Sequence, residues 1–179
     1  YCIAALLSAT GTRPVSSPFE SLRQFDFDLN LIFVDDKHTN AQHQGRVVPL
    51  VGAASNIVKS IYLPHLQRLA NIIERQHPTL SQRIRQLTQS DTRQEMPLFF
   101  FLASVPALAW VEVSETSLNA TEVFDWPLPW NMMRHRLSTR LRRLGAPQEI
   151  VDGILGHSEQ GTAAYGFFSS RHFGDDVQQ

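Results

Sequence analysis

The stretch from Asn131 to Tyr165 concentrates side chains that can hold and transform an anion. Arg134, Arg136, Arg140, Arg142 and Arg143 follow one another with no acidic residue among them. The spacing predicts a helix from about Asn131 to Leu144. Met133, Leu137, Leu141 and Leu144 recur at helical intervals and mark its buried face, and Gly145 can end it in the left-handed conformation. Arg136, Arg140 and Arg143 then lie along one edge of that face, and Arg134 borders the opposite edge. A guanidinium beside the core needs an anionic partner, because burying an unpaired charge is costly. Phosphate suits it, since the planar fork binds phosphate bidentately and stays charged. A second helix is predicted with Pro147 at its first position, an apolar face of Ile150, Val151, Ile154 and Leu155, and a stop before Gly156. His157 then emerges just past that helix, and Tyr165 lies on a third segment, three residues beyond Thr162.

R-H-R-L-S-T from Arg134, L-G-H ending at His157 and T-A-A-Y ending at Tyr165, at these separations, resemble the catalytic core of the tyrosine recombinases, also called phage integrases. The resemblance implies that Arg134 is the second arginine of that family, His157 its histidine and Tyr165 its nucleophile. Asn131 stands where the family has a histidine or lysine. G-T-R-P, from Gly11, resembles the first arginine box, with Arg13 as its arginine. The family's acidic residue three positions later is Ser16 here, so either Glu20 substitutes from a shifted position or that buttress is missing. By the same resemblance Lys37, one of the two lysines in the chain beside Lys59, is the hairpin lysine that reaches the scissile phosphate. His38 and His43 share its loop.

A metal-free phosphodiester transfer needs a phenol in line with phosphorus, neutralised non-bridging oxygens and a proton for the departing 5′-oxygen. Arg13 and Arg134 would clamp the phosphate, His157 would accept the phenolic proton or hold the phosphate, and Lys37 would protonate the leaving group. Asn131 can donate a hydrogen bond but cannot exchange a proton near neutral pH. No metal-ligand spacing and no phosphate-cradling glycine loop is visible, so neither metal nor cofactor is expected. The resemblance further implies a site-specific recombinase of a phage or other mobile element, acting on double-stranded DNA through a 3′-phosphotyrosyl intermediate. It implies a homotetramer on DNA joined through the segment after Tyr165, Phe167 to Gln179, with room for accessory DNA-bending proteins. Arg136, Arg140 and Arg143 would contact DNA. A type IB topoisomerase-like enzyme and a non-catalytic DNA-binding module of the same fold are the rival readings.

The elements that must position these residues are legible to different degrees. A chain of 179 residues with 42% hydrophobic content suits one domain with a sizeable core. The resemblance makes 1–179 the catalytic domain, a mainly helical α+β fold with a small three-stranded antiparallel sheet, and Tyr1 in place of Met suggests a fragment whose separate N-terminal DNA-clamping domain is absent. The apolar run from Cys2 to Ala9 reads as a core helix broken at Gly11, too short to span a bilayer and without a basic leader. One cysteine rules out an internal disulfide and fits a reducing compartment; a cytoplasmic protein, nucleoid-associated when on DNA and not membrane-bound, is expected. The formal charge of −1 gives no basic excess. Acidic residues gather instead at Asp26, Asp28, Asp35 and Asp36 and from Glu112 to Asp125.

Arg23 to Asp28, Asn30 to Val34 and Arg46 to Leu50 read as the three strands. Ser60 to about Arg75 reads as a helix with Ile61, Leu66, Leu69, Ile72 and Ile73 inward. Gln76 to Glu95 is a second helix or an insertion, with Arg83 and Arg85 solvated. Leu98 to Leu102 is a buried strand or a helix start, and Trp110 to Val113 another strand. The stretch 51–126 exceeds what the family needs there and reads as holding a subfamily insertion.

Overall fold

The computed structural model describes residues 1–14, 18–36, 45–89, 96–104, 107–120 and 129–157. Helix α1 (Cys2–Thr10) buries Ile3, Leu6, Leu7 and Thr10, the one-face spacing of its apolar run. Gly11, at φ 63°, ends it and donates its N–H to the Leu7 carbonyl at 3.1 Å. Thr10 and Thr12 share a hydrogen bond of 2.7 Å beneath the turn that leads to Arg13.

Three strands follow in an antiparallel meander: β1 (Phe25–Asp26), β2 (Leu31–Val34) and β3 (Arg46–Pro49), in the order β1-β2-β3. Phe25 pairs with Ile32, and Ile32 with Val48. Alternation sends Ile32, Val34 and Val48 into the core and leaves Phe33 on the outer face. β1 is shorter than its apolar pattern suggests. Leu22–Gln24 instead form a 3-10 turn closed by a capping box, in which the Ser21 hydroxyl accepts from Arg23 N–H and Gln24 Oε1 accepts from Ser21 N–H. Asp26 Oδ1 accepts the N–H groups of Asp28 and Leu29 and closes the β1–β2 turn.

A continuous helical rod then runs through α2 (Gly52–Asn56), a wider π-helical stretch (Ile57–Tyr62) and α3 (Leu63–Ile73). The widening falls just before Pro64, whose ring has no N–H and would clash with the carbonyl four residues earlier in a regular helix. Helix α4 (Pro78–Leu87) packs on α3, with the Ser81 hydroxyl donating to the Ala70 carbonyl at 2.9 Å. This packing selects Leu66, Ala70 and Ile73 as the inner face. Ile61 and Ile72, expected inward, are 59% and 78% exposed. Arg85 is not free in solvent, because it forms a forked ion pair with Glu74 at 2.8 Å and also reaches Asn71.

Strands β4 (Phe100–Ala103) and β5 (Ala109–Glu112) make a separate antiparallel pair, followed by α5 (Glu115–Ala120). The run before β4 is tied to the rest of the molecule. Tyr62 stacks on Phe99 at 4.4 Å and donates its hydroxyl to the Leu98 carbonyl, while Leu98 N–H bonds the Glu20 carbonyl. Leu66, Ile73, Ile84, Leu98 and Phe99 share one hydrophobic core with Leu6, Leu7 and Ile32, so the described part of 51–126 contributes to the same core as the segments around it.

Helices α6 (Met132–Arg143) and α7 (Gln148–Leu155) close the described chain. Helix α6 packs on α1, where the Ser8 hydroxyl meets Met133 Sδ at 3.0 Å, and α7 packs on α6 and β3. Gly145 takes φ 81° after α6, and Gly156 takes φ 64° after α7. Pro147 is the residue before α7, not its first helical one, since its ψ of 146° is extended. Leu144, expected on the buried face of α6, is 74% exposed because the helix has already ended and the chain is turning at Gly145. The architecture is mixed helix and sheet, α+β, and the ends of α1, β2 and α7 and the starts of β3 and α6 come together on one side of the core.

Candidate active site

Arg134 sits in the first turn of α6 and is 5% exposed. One Nη1–H donates to the Gly11 carbonyl at 2.7 Å, and Nη2 donates to the Leu155 carbonyl and to His157 Nε2, the latter at 3.0 Å. Residues that lie far apart in the chain are thereby gathered around one guanidinium. The carbonyls at the ends of α1 and α7 are groups a helix cannot satisfy by itself, and a cation there also meets the negative end of the helix dipole. Receiving an Arg134 N–H requires a lone pair on His157 Nε2, so the imidazole proton sits on Nδ1, 3.5 Å from Asp152 Oδ1. His157 N–H bonds the Asp152 carbonyl at 2.8 Å, which fixes the turn that carries the ring.

Arg13 joins this group from the turn after α1. Its backbone N–H donates to Asp36 Oδ2 at 2.7 Å, and its side chain is half-buried. Asp36, 2% exposed, also receives both Nη groups of Arg46, which is itself 4% exposed. Arg46 Nε donates to the Ile154 carbonyl at 2.8 Å. Gly156 leaves room for this, because a Cβ there would stand 3.0 Å from Arg46 Cδ.

Among the described residues one carboxylate, Asp36, thus serves the Arg46 fork, the backbone N–H of Arg13 and, at longer range, the charge of Arg134, and the charge of Arg13 also reaches Arg134. Burial, then the charge of Arg46, and also that of Arg13, lower the pKa of Arg134 to about 10 against the opposing pull of Asp36, so it remains a cation at neutral pH. Burial alone would raise the Asp36 carboxyl. The hydrogen bond and charge of Arg46, the Arg13 N–H and the charge of Arg134 together outweigh it and hold Asp36 below its ordinary range. Among the described residues Arg13, Arg46 and Arg134 outnumber the Asp36 carboxylate they sit with, a local positive excess that an anion would offset.

No protein-family model, no curated protein and no solved structure matches this chain.

The structure therefore brings together Arg13, Arg134 and His157 and adds Asp36 and Arg46, which had no assigned part. Period-two alternation could have found both: Asp36 continues the inward face of Ile32 and Val34, and Arg46 shares a face with Val48. Glu20 is exposed, and the carboxylate that receives the Arg13 backbone N–H is Asp36. Asn131 is the exposed residue before α6, with no side-chain cap bond to that helix. Arg136, Arg140 and Arg143 lie exposed on α6, opposite its buried side. Tyr165, Lys37, Ser16, His38, His43 and the segment 167–179 lie outside the described residues. Among the described residues no helix is long and apolar enough to cross a membrane.

The Asp36 shift sets an acid limit. A carboxyl whose folded pKa lies below its unfolded value, about 3.9, contributes stability that is complete above the unfolded value and is lost as pH falls through the folded one. Urea unfolding between pH 2 and 7 should show stability falling below about pH 4. Asp36→Asn should be less stable at neutral pH by about 3 to 5 kcal/mol, since it leaves Arg46 buried without its partner, and should lose that part of the acid dependence. Equal stability of variant and parent at pH 7 would contradict the pairing.

Proposed function

We propose that this chain is the catalytic domain of a tyrosine recombinase-type enzyme, which cuts and rejoins DNA strands through a 3′-phosphotyrosyl intermediate. The observation that carries the reading is the buried positive excess at Arg134, with Arg13 and His157, the matched positions of two other motifs, at the same place. A phosphodiester supplies the anion that this excess favours. Among the described residues three of the five N–H groups of Arg134 have acceptors, and Nε–H and the second Nη1–H are the donors assigned here to a non-bridging oxygen. Donors held by carbonyls from two other segments need no reorganisation as negative charge develops on the phosphate.

In the proposed step Tyr165 Oη attacks phosphorus and the bond from phosphorus to the 5′-oxygen breaks. The phenolic proton leaves to a base, and the 5′-oxygen takes a proton from an acid. His157 is suited to the first role once a phosphate oxygen draws the Arg134 Nη2–H away from Nε2, because that nitrogen already carries the lone pair. Lys37 is assigned to the second, and Asn131 to a hydrogen bond with the phosphate. The bond energy is kept in the phosphotyrosine, so strand rejoining needs no ATP. Double-stranded DNA is the substrate, and a tetramer assembled on it, joined through the segment after Tyr165, is the working form. The recombinase fold, a mobile-element origin and nucleoid association belong to the same reading.

A nicked suicide DNA substrate offered to the full-length protein tests this directly. The parent should form a denaturant-resistant covalent adduct. Tyr165→Phe should form none while binding DNA within about twofold of the parent, since the lost oxygen contributes little to ground-state affinity. An adduct from Tyr165→Phe would move the nucleophile elsewhere, and no adduct from the parent would leave a DNA-binding module without catalysis.

The exposed edge of α6 generates a separate prediction. If Arg136, Arg140 and Arg143 contact phosphates, each Ala substitution should flatten the plot of log affinity against log salt by about 0.9, whatever the DNA sequence. An unchanged slope in all three returns them to a solvated face.

A further inference from the structure

Asp36 and Arg46 are buried, ionised and given no part in the proposed reaction. A buried ion pair is a weak source of stability, because desolvating both charges offsets most of their attraction, and apolar replacements of similar volume are often as stable or more so. The bonds this pair makes beyond itself are more informative. Asp36 Oδ2 accepts the backbone N–H of Arg13 at 2.7 Å. Arg46 Nε donates to the Ile154 carbonyl at 2.8 Å, next to the Leu155 carbonyl that receives Arg134. The Arg46 stem also lies under Gly156, the residue between that carbonyl and His157, so closely that a Cβ there would meet Cδ at 3.0 Å and Nη1 at 3.3 Å. One end of the pair therefore grips the turn that presents Arg13, and the other grips the turn that presents His157.

We propose that Asp36 and Arg46 act as a positioning pair, which holds the Arg13 turn and the His157 turn in one register around Arg134 without touching the substrate. This rests on the reading of Arg13, Arg134 and His157 as a phosphate-transfer site. Two features separate the role from simple core filling. The pair joins the sheet to both turns by directed hydrogen bonds, which apolar side chains of the same volume cannot supply. The fork is also specific to arginine, since a lysine could meet Asp36 but could not bond it bidentately and reach Ile154 at once.

Two variants of the full chain test the proposal by two readouts. Asp36→Leu combined with Arg46→Met removes both charges together, so that no unpaired ion is left buried. Arg46→Lys keeps the charge and should fold even where the double variant does not. Each folded variant is measured for single-turnover cleavage at saturating nicked DNA and for the ¹⁵N signals of the His157 imidazole, identified by their loss in His157→Gln. The parent should show the neutral ring protonated at Nδ1. In the variants that preference should relax toward a mixture, and cleavage should slow by about tenfold or more, because a displacement of about 1 Å is enough for a loss of that order, while DNA affinity stays within about threefold. A parent-like His157 signal in every folded variant overturns the proposal whatever the rates, and so does a parent-like cleavage rate with an altered signal. If the parent itself never cleaves DNA, the recombinase reading fails while the His157 signal still decides whether the pair positions the ring.

Discussion

A guanidinium that is 5% exposed cannot rely on water, and the way Arg134 is satisfied accounts for much of how the described segments meet. Its donors go to the last turns of α1 and α7, where backbone carbonyls lack helical partners, and to His157 Nε2. Both helices must therefore end where they do. Gly11 and Gly156 make this possible, each turning the chain through positive φ immediately after its helix, so that the carbonyls face α6. A Cβ at Gly11 would also stand 2.9 Å from Leu155 Cδ2 and 3.0 Å from Leu137 Cδ2, which shows how closely α1, α6 and α7 approach there.

The sheet completes the arrangement from the other side. β2 and β3 are registered so that Ile32 faces Val48 and Val34 faces Arg46, and the same alternation brings Arg46 to the inner face, with Asp36 just beyond Val34. One carboxylate then serves three partners: the fork of Arg46, the N–H of Arg13 and, at longer range, the charge of Arg134. It compensates part of the positive charge and leaves the rest. Such an imbalance is costly in an empty core and useful at a site that receives an anion. The electrostatics and the motif resemblance thus point the same way by separate routes, one from burial and hydrogen bonding and the other from residue order.

How much of this was legible depended on whether the signal was local. The ends of α1, α6 and α7 could be placed because glycine at a helix end is a local, steric signal, and the meander could be placed because its strands are short apolar runs with turn residues between them. The gathering of Arg13, Arg134 and His157 came from motif spacing and not from any physical rule about distance. Asp36 and Arg46 each look ordinary in their own segments, one in an acidic run and the other at a strand start. Only the parity of the two strands, carried past the end of β2 for Asp36, puts both on the core side. For a related reason Ile61 and Ile72 lie outside the inner face, where the apolar spacing predicts them. The rod begins at Gly52 and passes through wider turns before Pro64, so a regular helical count begun at Ser60 carries the wrong phase at Ile61, and α4 settles on Leu66, Ala70 and Ile73, leaving Ile72 outside.

The central claim is that Arg134 is held by carbonyls so that its remaining donors meet a phosphate. A crystal structure of the full-length protein trapped on nicked DNA tests it most directly. The account predicts a non-bridging oxygen of the scissile phosphate within about 3 Å of Arg134 Nε or Nη1, with the bonds to the Gly11 and Leu155 carbonyls kept. A scissile phosphate bound elsewhere, with Arg134 still contacting only those carbonyls and His157, would contradict it.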